Sequence, residues 1–240
     1  MQNNEFSNQF DVLVSSYRRF RDFDDKEPLD TLEFDEYEKS LFLTKAQEEL
    51  VIGLYSGKNP YGESFEGTEE MRRYLASLIR EASLSPITTS NGSPLGIDSK
   101  SKFFTLPEDL WFITYEAAHL SDAECEQMSV QDVYPVRQDE YHKIKKNPFR
   151  GANNRRALRL DLSDNNVEIV SKYNVSSYYV RYLRKIKPIV LVNMPNGVTV
   201  EGIGTATSCE LPSSLHQRIL ENAVIMALHS KGYKVNNVNK

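Results

Sequence analysis

The first third of the chain places its apolar side chains three and four positions apart, which is the spacing of one face of an α-helix. A first helix is therefore predicted over residues 5–20 and a second over residues 35–56. Asp35 and Glu38 are predicted to form a capping box at the start of the second helix, and Gly57 predicts its end. The predicted apolar stripe of this second helix consists of Tyr37, Leu41, Ala46, Leu50 and Leu54.

Two further helices are predicted on the same grounds. A third helix begins near Thr68, and its predicted buried face consists of Met71, Tyr74, Leu75, Leu78 and Ile79. The last helix closes the chain, with a capping box predicted between Ser214 and Gln217 and with Gly232 just beyond its end. Residues 83–102 lie between these two helices and are rich in Ser, Pro, Gly and Asn, which predicts a long loop.

The middle of the chain changes to the two-residue alternation of β-strands. Strands are predicted over residues 110–115, 156–162, 167–170, 177–183 and 188–192. The second and third of these strands are expected to pair as a hairpin across residues 163–166. Within the fourth strand, Tyr178, Val180 and Tyr182 share one face. A short helix over residues 140–146 is expected to begin at Asp139 and to end before Pro148, because proline restricts the residue that precedes it.

Helices at both ends of the chain thus enclose a β-rich middle. Because each of these helices has one apolar face and no sheet of its own, we predict an α+β chain in which the N-terminal and C-terminal helices form a helical bundle with an inserted antiparallel β-rich region. The predicted divisions are an N-terminal helical region (1–82), a β-rich region with a long loop (83–210), a closing helix that packs on the N-terminal helices (211–231) and a tail (232–240).

Composition narrows the class of protein. The chain has 240 residues, 40% of them hydrophobic, which is enough for a folded core, and a net charge of -5, which argues against a generic nucleic-acid coat. Cys125 and Cys209 lie in unrelated settings, so we expect two thiols in a reducing compartment, with a disulfide between them left open. The polar start and the lack of a long apolar run predict a soluble protein without a secretion signal or a membrane span.

Patterns that carry catalysis or cofactor binding are missing from the sequence. There is no phosphate-binding glycine loop and no nucleophile elbow, and the four histidines are isolated from one another. Cys209 precedes the closing helix, where a thiolate is favoured, but no histidine is placed to serve it. Acidic residues around Asp24 lack the glycine and the distal glutamate of a calcium loop. We therefore expect a non-enzymatic protein with no cofactor and no metal.

Charge is segregated along the chain. Residues 22–38 form an acidic connector, whereas residues 137–159 contain eight basic side chains and only two acidic ones, and further basic residues follow between Arg181 and Lys187. Arginine and tyrosine are enriched at protein contact surfaces, so the pattern favours an interface or a channel wall over a plain solvated face, which stays the alternative. The candidate interface or channel residues are Arg150, Arg155, Arg156, Arg159, Arg181, Arg184, Tyr179, Tyr182, Asp24 and Asp25.

Several short motifs of strands and turns together resemble a known family. They include Tyr134-Pro135-Val136, Asn147-Pro148-Phe149-Arg150, Tyr179-Val180-Arg181-Tyr182-Leu183-Arg184, Pro188-Ile189-Val190-Leu191 and Cys209-Glu210-Leu211-Pro212. With these motifs the chain resembles virion structural proteins of crAss-like tailed bacteriophages, in particular the ring protein next to the portal. Its layout is also similar to head-to-tail adaptors of the tail tubular protein A type, with residues 103–110 matching the entry to the β region.

The resemblance implies a structural subunit of a head-to-tail connector ring that continues the DNA channel between portal and tail. It implies a homo-oligomer in a dodecameric ring, bound to the portal protein and to other ring or tail proteins, and DNA that passes without sequence-specific contacts. Such a protein is synthesised in the host bacterial cytoplasm and resides in the virion, with no membrane partner. The alternatives are a nucleic-acid-binding module that acts as a monomer through the Arg/Lys-rich strands, and an enzyme of unknown class.

Overall fold

The structure is a computed structural model that describes residues 1–19, 32–59, 62–87, 101–121, 129–195 and 197–233. The chain is α+β, as predicted, and it divides into two compact units. One unit combines Met1–Ser77 with Ile186–Lys240, and the other consists of Leu78–Lys185. The helices are α1 (Asn3–Arg19), α2 (Glu36–Ser56), α3 (Glu69–Tyr74), α4 (Tyr141–Lys145) and α5 (Ser213–Ser230). The strands are β1 (Ile79–Leu84), β2 (Lys102–Thr105), β3 (Leu110–Leu120), β4 (Val130–Pro135), β5 (Arg156–Asp161), β6 (Asn166–Val170) and β7 (Val175–Arg184).

The first unit buries the apolar faces of its long helices. Buried residues include Phe6, Phe10 and Val14 of α1, Leu43, Leu50 and Leu54 of α2, and Leu215, Ile219, Ala223 and Leu228 of α5. The rings of Phe6 and His216 lie 5.3 Å apart between centroids, which joins α1 to α5. On α2 the predicted stripe needs one correction, because Tyr37 is exposed. Burying such faces is what stabilises helices of this length in water.

Local signals set the ends of α2 as predicted. Asp35 and Glu38 form the capping box, with the Asp35 carboxylate 2.7 Å from the Glu38 amide nitrogen, and Gly57 ends the helix at a φ of 77°. The capping box predicted for α5 is wrong. This helix begins at Ser213, so Ser214 lies inside it and not at the cap, and Gln217 donates its amide to Glu221 instead (2.9 Å).

A buried polar stripe on α2 explains why the predicted strand over residues 188–192 does not form a strand. The segment makes one isolated β-bridge, between Val190 and Thr207. Side chains one helical turn apart on α2 bond to the backbone of Ile189, of Leu191 and of the preceding Lys187, so the helix takes the place of a neighbouring strand there. The bonded pairs are Ser40 with Leu191 (3.0 Å), Thr44 with Ile189 (3.1 Å) and Gln47 with Lys187 (2.8 Å). The side chains of Asn3 and Thr207 bond to the backbone of Val190 and Pro188.

The second unit is a seven-stranded sheet in the order β1-β7-β3-β4-β5-β6-β2. The predicted hairpin between β5 and β6 is confirmed, and Asp164 and Asn165 form its turn with positive φ angles of 55° and 57°. The sheet is mixed and not antiparallel throughout, because β4 and β5 pair in parallel. Residues 136–155, which include α4, provide the long crossover that a parallel pair requires.

Two helix predictions in or beside this unit are corrected. The third helix was expected to include Ile79, but α3 ends at Tyr74, and residues 79–84 form β1 because all six pair with residues 178–183 of β7. That strand also takes the start of the predicted loop over 83–102, of which residues 88–100 lie outside the described part of the chain. Asp139 does not cap α4, because the helix begins at Tyr141 with Glu140 at the cap position, and the Asp139 carboxylate pairs with Arg137 (3.0 Å).

Candidate subunit interface

The strand register separates two faces of the sheet with different chemistry. On β7, Tyr178, Val180 and Tyr182 are all buried, which confirms their predicted common face. They belong to one cluster with apolar residues of five other strands, including Phe104, Ala118, Val133, Ala157 and Ile169. This buried side, which we call the inner face, contains one hydrophobic core cluster of the unit, and a second cluster of Tyr141, Leu158, Leu160 and Val170 includes a residue of α4.

One arginine among the candidate interface residues lies within this core. Arg159 is 9% exposed, and its guanidinium Nη1 lies 2.5 Å from Glu116 Oε1. The Tyr178 hydroxyl donates to the other Glu116 oxygen at 2.6 Å, and Arg159 Nε lies 2.9 Å from Asp161 Oδ1. A buried charge is tolerated only with such partners. Arg159 therefore belongs to an internal network of the subunit, and it is not part of the surface proposed below.

Burial controls the ionisation of this network. It raises the pKa of the Glu116 carboxyl, while Arg159 and the Tyr178 hydroxyl oppose that rise. Burial alone would lower the pKa of Arg159, but Glu116, Tyr178 and Asp161 together outweigh burial and the pKa is raised, so the guanidinium stays charged. Burial and then the charge of Glu116 raise the pKa of Tyr178, so its hydroxyl stays a donor. Glu116 thus accepts from both Arg159 and Tyr178 within one chain, while Arg159 Nε makes no hydrogen bond of good geometry among the described residues.

The opposite side of the sheet brings together aromatic and charged side chains. The register places Tyr115 beside Arg181, Tyr179 beside Ala117, and Asp132 beside both Ala117 and Arg156. Tyr134 lies two positions after Asp132 and so points to the same side. We define the outer strand face as Tyr115, Asp132, Tyr134, Arg156, Tyr179 and Arg181.

The aromatic residues of the outer strand face remain open to solvent. Tyr115 is 46% exposed and Tyr134 is 44% exposed. The Arg156 guanidinium lies 4.4 Å from the centroid of the Tyr134 ring, and the rings of Tyr115 and Tyr179 lie 6.2 Å apart. Tyrosine and arginine held in fixed positions offer a large contact area at a small loss of side-chain entropy. The outer strand face thus has the composition of a protein–protein contact surface.

The structure distributes the other candidate residues over several places. Arg150 and Arg155 are exposed, whereas Tyr182 is buried and its hydroxyl donates to Asp109 (3.0 Å). Arg184 is half-buried and donates to the Lys185 carbonyl (3.2 Å). Asp24 and Asp25, with most of the acidic connector, lie outside the described residues.

Sequence reasoning missed three members of the outer strand face: Tyr115, Asp132 and Tyr134. Asp132 and Tyr134 belong to β4, a strand that was not predicted, because buried Gln131 is polar while exposed Val130 and Tyr134 are apolar, so the sequence shows no alternation there. Tyr115 was placed in a predicted strand, but its partner strand was unknown. Its contact with the β7 tyrosine depends on non-local pairing.

Neither a metal site nor an activated Cys209 thiol is supported by the described residues. No group of three or more His, Cys, Asp or Glu side chains within them is placed to hold a metal ion. Burial raises the pKa of the Cys209 thiol to about 11, and its Sγ lies 3.2 Å from Gln47 Oε1, so the thiol stays protonated at neutral pH. Cys125 lies outside the described residues. Among the helices of the described chain, none has the length and apolarity to cross a bilayer.

Comparisons with known proteins agree with the resemblance seen in the motifs. A model of the family described as phage tail ring protein 3/4 matches residues 1–239. Ring protein 3 of Bacteroides phage crAss001 is 44% identical over 234 residues, which cover 96% of this chain and 96% of that protein. Ring protein 4/5 of the same phage is 28% identical over 236 residues, which cover 95% of this chain and 92% of that protein. The chain therefore belongs to the phage tail ring protein 3/4 family of crAss-like phages.

Proposed function

We propose that this chain is a non-enzymatic subunit of a head-to-tail connector ring in which twelve copies continue the DNA channel between portal and tail. The observation that carries the proposal is the outer strand face, where half-exposed tyrosines stand beside arginines. Family membership and the names of the two relatives support a ring. In this account the protein is synthesised in the host cytoplasm, binds the portal protein and neighbouring ring or tail proteins, and resides in the virion.

A closed ring requires each subunit to present two different surfaces that meet head to tail. The outer strand face supplies one of them. It carries Arg156, Arg181 and Tyr179 from the predicted interface set, together with Tyr115 and Tyr134. Arg155 and Arg184 are proposed for the channel side, where positive charge attracts the phosphates of passing DNA without reading its bases. Asp24 and Asp25 are proposed as part of an acidic surface that meets a basic neighbour.

Mass photometry and negative-stain microscopy of the purified chain, alone and mixed with the portal protein of the same phage, test the proposal. We expect closed rings. We also expect Tyr134→Ala and Arg156→Glu to reduce ring formation, since each removes one member of a stacked pair on the outer strand face. Arg73→Glu is the matched control, because Arg73 lies on α3 with a side chain that is 77% exposed.

The outcomes separate the parts of the proposal. A wild-type chain that stays monomeric in both settings at high concentration would overturn the ring. If rings form equally well with Arg156→Glu and with Arg73→Glu, the outer strand face is not part of the subunit interface. The proposal of a ring would not be affected by that result. Salt-dependent binding of DNA by the isolated monomer, weakened by reversal of Arg155 and Arg156, would favour the nucleic-acid-binding module.

A further inference from the structure

The most exposed apolar side chain among the described residues lies on a short turn after α4. Phe149 is 84% exposed, whereas the other large exposed apolar residues range from 37% to 67%. It is followed by Arg150, which is exposed and makes no ion pair within the described chain. A phenylalanine in water forfeits the free energy of burying its ring, about 1.5–3 kcal/mol. Such an exposed ring beside a free cation needs an explanation.

Several hydrogen bonds hold the backbone of the turn that carries Phe149. The Asn147 side chain accepts hydrogen bonds from the backbone amides of Phe149 (2.9 Å) and Arg150 (3.2 Å). A Cβ on Gly151 would lie 2.9 Å from the Asn147 carbonyl oxygen, so the turn closes as tightly as glycine permits. Arg156 of the outer strand face donates to the Phe149 carbonyl (2.9 Å). The ring is therefore presented in a fixed position, which lowers the entropy cost of inserting it into a partner.

A complementary feature lies in the first unit. A groove of about 670 Å³ opens between the start of α2 and the segment around residues 192–199. This size is typical of the roughly 300–1,000 Å³ pockets that accept a ligand. Its apolar lining includes Val192, Met194 and Val198 together with the ring of Tyr37, and three of these four residues are more than one-third exposed.

The rim of this groove is acidic. Asp35 and Glu36 line it, at the point where α2 begins. Asp35 is exposed, and its carboxylate oxygen Oδ1 accepts a hydrogen bond from the Glu38 backbone amide. Glu36 shares the buried Lys39 with Asp11. The groove therefore combines an apolar floor with a negative rim, while the Phe149 turn combines an apolar tip with a positive flank.

We infer that the occupant of this groove is the Phe149 turn of a second copy of the same chain. The phenylalanine ring inserts between Val192 and Val198, and Arg150 faces Asp35 and Glu36 at the rim. The inference rests on the proposed ring and specifies its head-to-tail contact. The sheet unit of each copy provides the insert and the helical unit of the next copy provides the groove. Such a contact is heterologous, so repeating it generates a ring when the rotation closes.

Disulfide trapping between two different variants tests the contact directly. Phe149→Cys and Val198→Cys are made on separate chains, purified, mixed and oxidised. Because each chain carries only one of the two new thiols, a cross-link between positions 149 and 198 joins two copies and never one copy to itself. We expect this cross-linked peptide by mass spectrometry in the mixture, and we expect the wild-type chain, with Cys125 and Cys209 alone, to give no ladder of covalent oligomers.

A second test of the contact measures the assembly of matched variants. Phe149→Ala should raise the concentration needed for half-maximal assembly by roughly tenfold to a hundredfold. This factor corresponds to the free energy of burying one phenylalanine side chain. Asp35→Asn keeps a good helix cap but removes the charge, so it should weaken assembly about two- to fivefold at low salt and not at high salt. The control is Val12→Ser, which removes another exposed apolar side chain, 67% exposed on α1.

Failure of this inference can be distinguished from failure of the proposed ring. If wild-type rings form but the 149–198 cross-link is missing and Phe149→Ala assembles like Val12→Ser, the groove contact is overturned and the ring stands. If the wild-type chain forms no rings with or without the portal protein, the proposed function fails and the inference fails with it. If Phe149→Ala loses assembly, circular dichroism that matches wild type shows that the loss is not misfolding.

Discussion

Replacing Arg159 with methionine tests whether this buried arginine stabilises the sheet, in contrast to the arginines of the outer strand face. The side chains of Arg159 and Glu116 are 11% and 8% exposed and lie 2.5 Å apart. Methionine fills most of the vacated space but leaves the Glu116 carboxylate in the core without its cation. Removing one partner of a buried pair costs about 3–5 kcal/mol of unfolding free energy. The contact of Arg159 with Asp161 adds little to this figure, because Asp161 is 67% exposed.

The destabilisation should depend on pH with a definite sign. Burial already raises the pKa of Glu116, and loss of Arg159 removes the first of the interactions that oppose that rise. A carboxyl whose pKa is higher in the folded state than in the unfolded state binds its proton more tightly when folded. Its stabilising contribution is therefore present at low pH and is lost as the pH rises through the folded pKa. Arg159→Met should be less destabilised at pH 5 than at pH 8.

The only tryptophan of the chain makes the assay specific. Trp111 lies on β3, so its fluorescence during urea unfolding reports on the unit that contains the buried pair. We expect Arg159→Met to lower the midpoint strongly without changing the slope. Arg156→Met should lower the urea midpoint only slightly, because a cation–π contact at an exposed site contributes about 0.5–1 kcal/mol. Adding Glu116→Gln to Arg159→Met should restore part of the loss. Equal midpoints for Arg159→Met and Arg156→Met would refute this reasoning.

Three further predictions concern the helical unit. Thr44→Val keeps the shape but leaves the Ile189 amide without its acceptor, so far-UV circular dichroism in urea should show a loss of about 1–3 kcal/mol, and an unchanged midpoint would contradict it. Because the pKa of Cys209 is about 11, its peptide should alkylate at pH 8 roughly a hundredfold more slowly in the native chain than in urea, whereas equal rates would contradict its burial. Asp35→Ala should lose about 0.5–2 kcal/mol on thermal unfolding, while Asp35→Asn should lose much less; identical losses would show that the cap does not matter.

Features with a local cause could be predicted from the sequence. The Asp35–Glu38 capping box, the glycine end of α2 and the β5–β6 hairpin each depend on residues a few positions apart. The apolar spacing of α1 and α5 likewise identified the faces that are buried. Residues of β7 alternate in the sequence as they do in the sheet, so the separation of Tyr178 from Tyr179 was also predictable.

Features decided by distant partners could not be predicted. Ile79 was assigned to a helix and residues 83–84 to a loop, yet residues 79–84 pair with β7, which lies about a hundred residues later in the chain. Residues 188–192 read as a strand, yet the backbone amides of Ile189 and Leu191 bond to side chains of α2. Arg159 was grouped with the surface arginines because its sequence neighbours are basic. Only the parallel pairing of β4 with β5 and the position of Glu116 on β3 explain why it is buried.

A cryo-electron microscopy map of the assembled phage particle tests the central claim most directly. The account predicts density for this chain in a closed ring on the portal–tail axis, with DNA in the central channel and the outer strand face of each copy covered by protein. Density for this chain away from that axis, or copies on the axis whose Tyr115 and Tyr134 remain open to solvent, would contradict it.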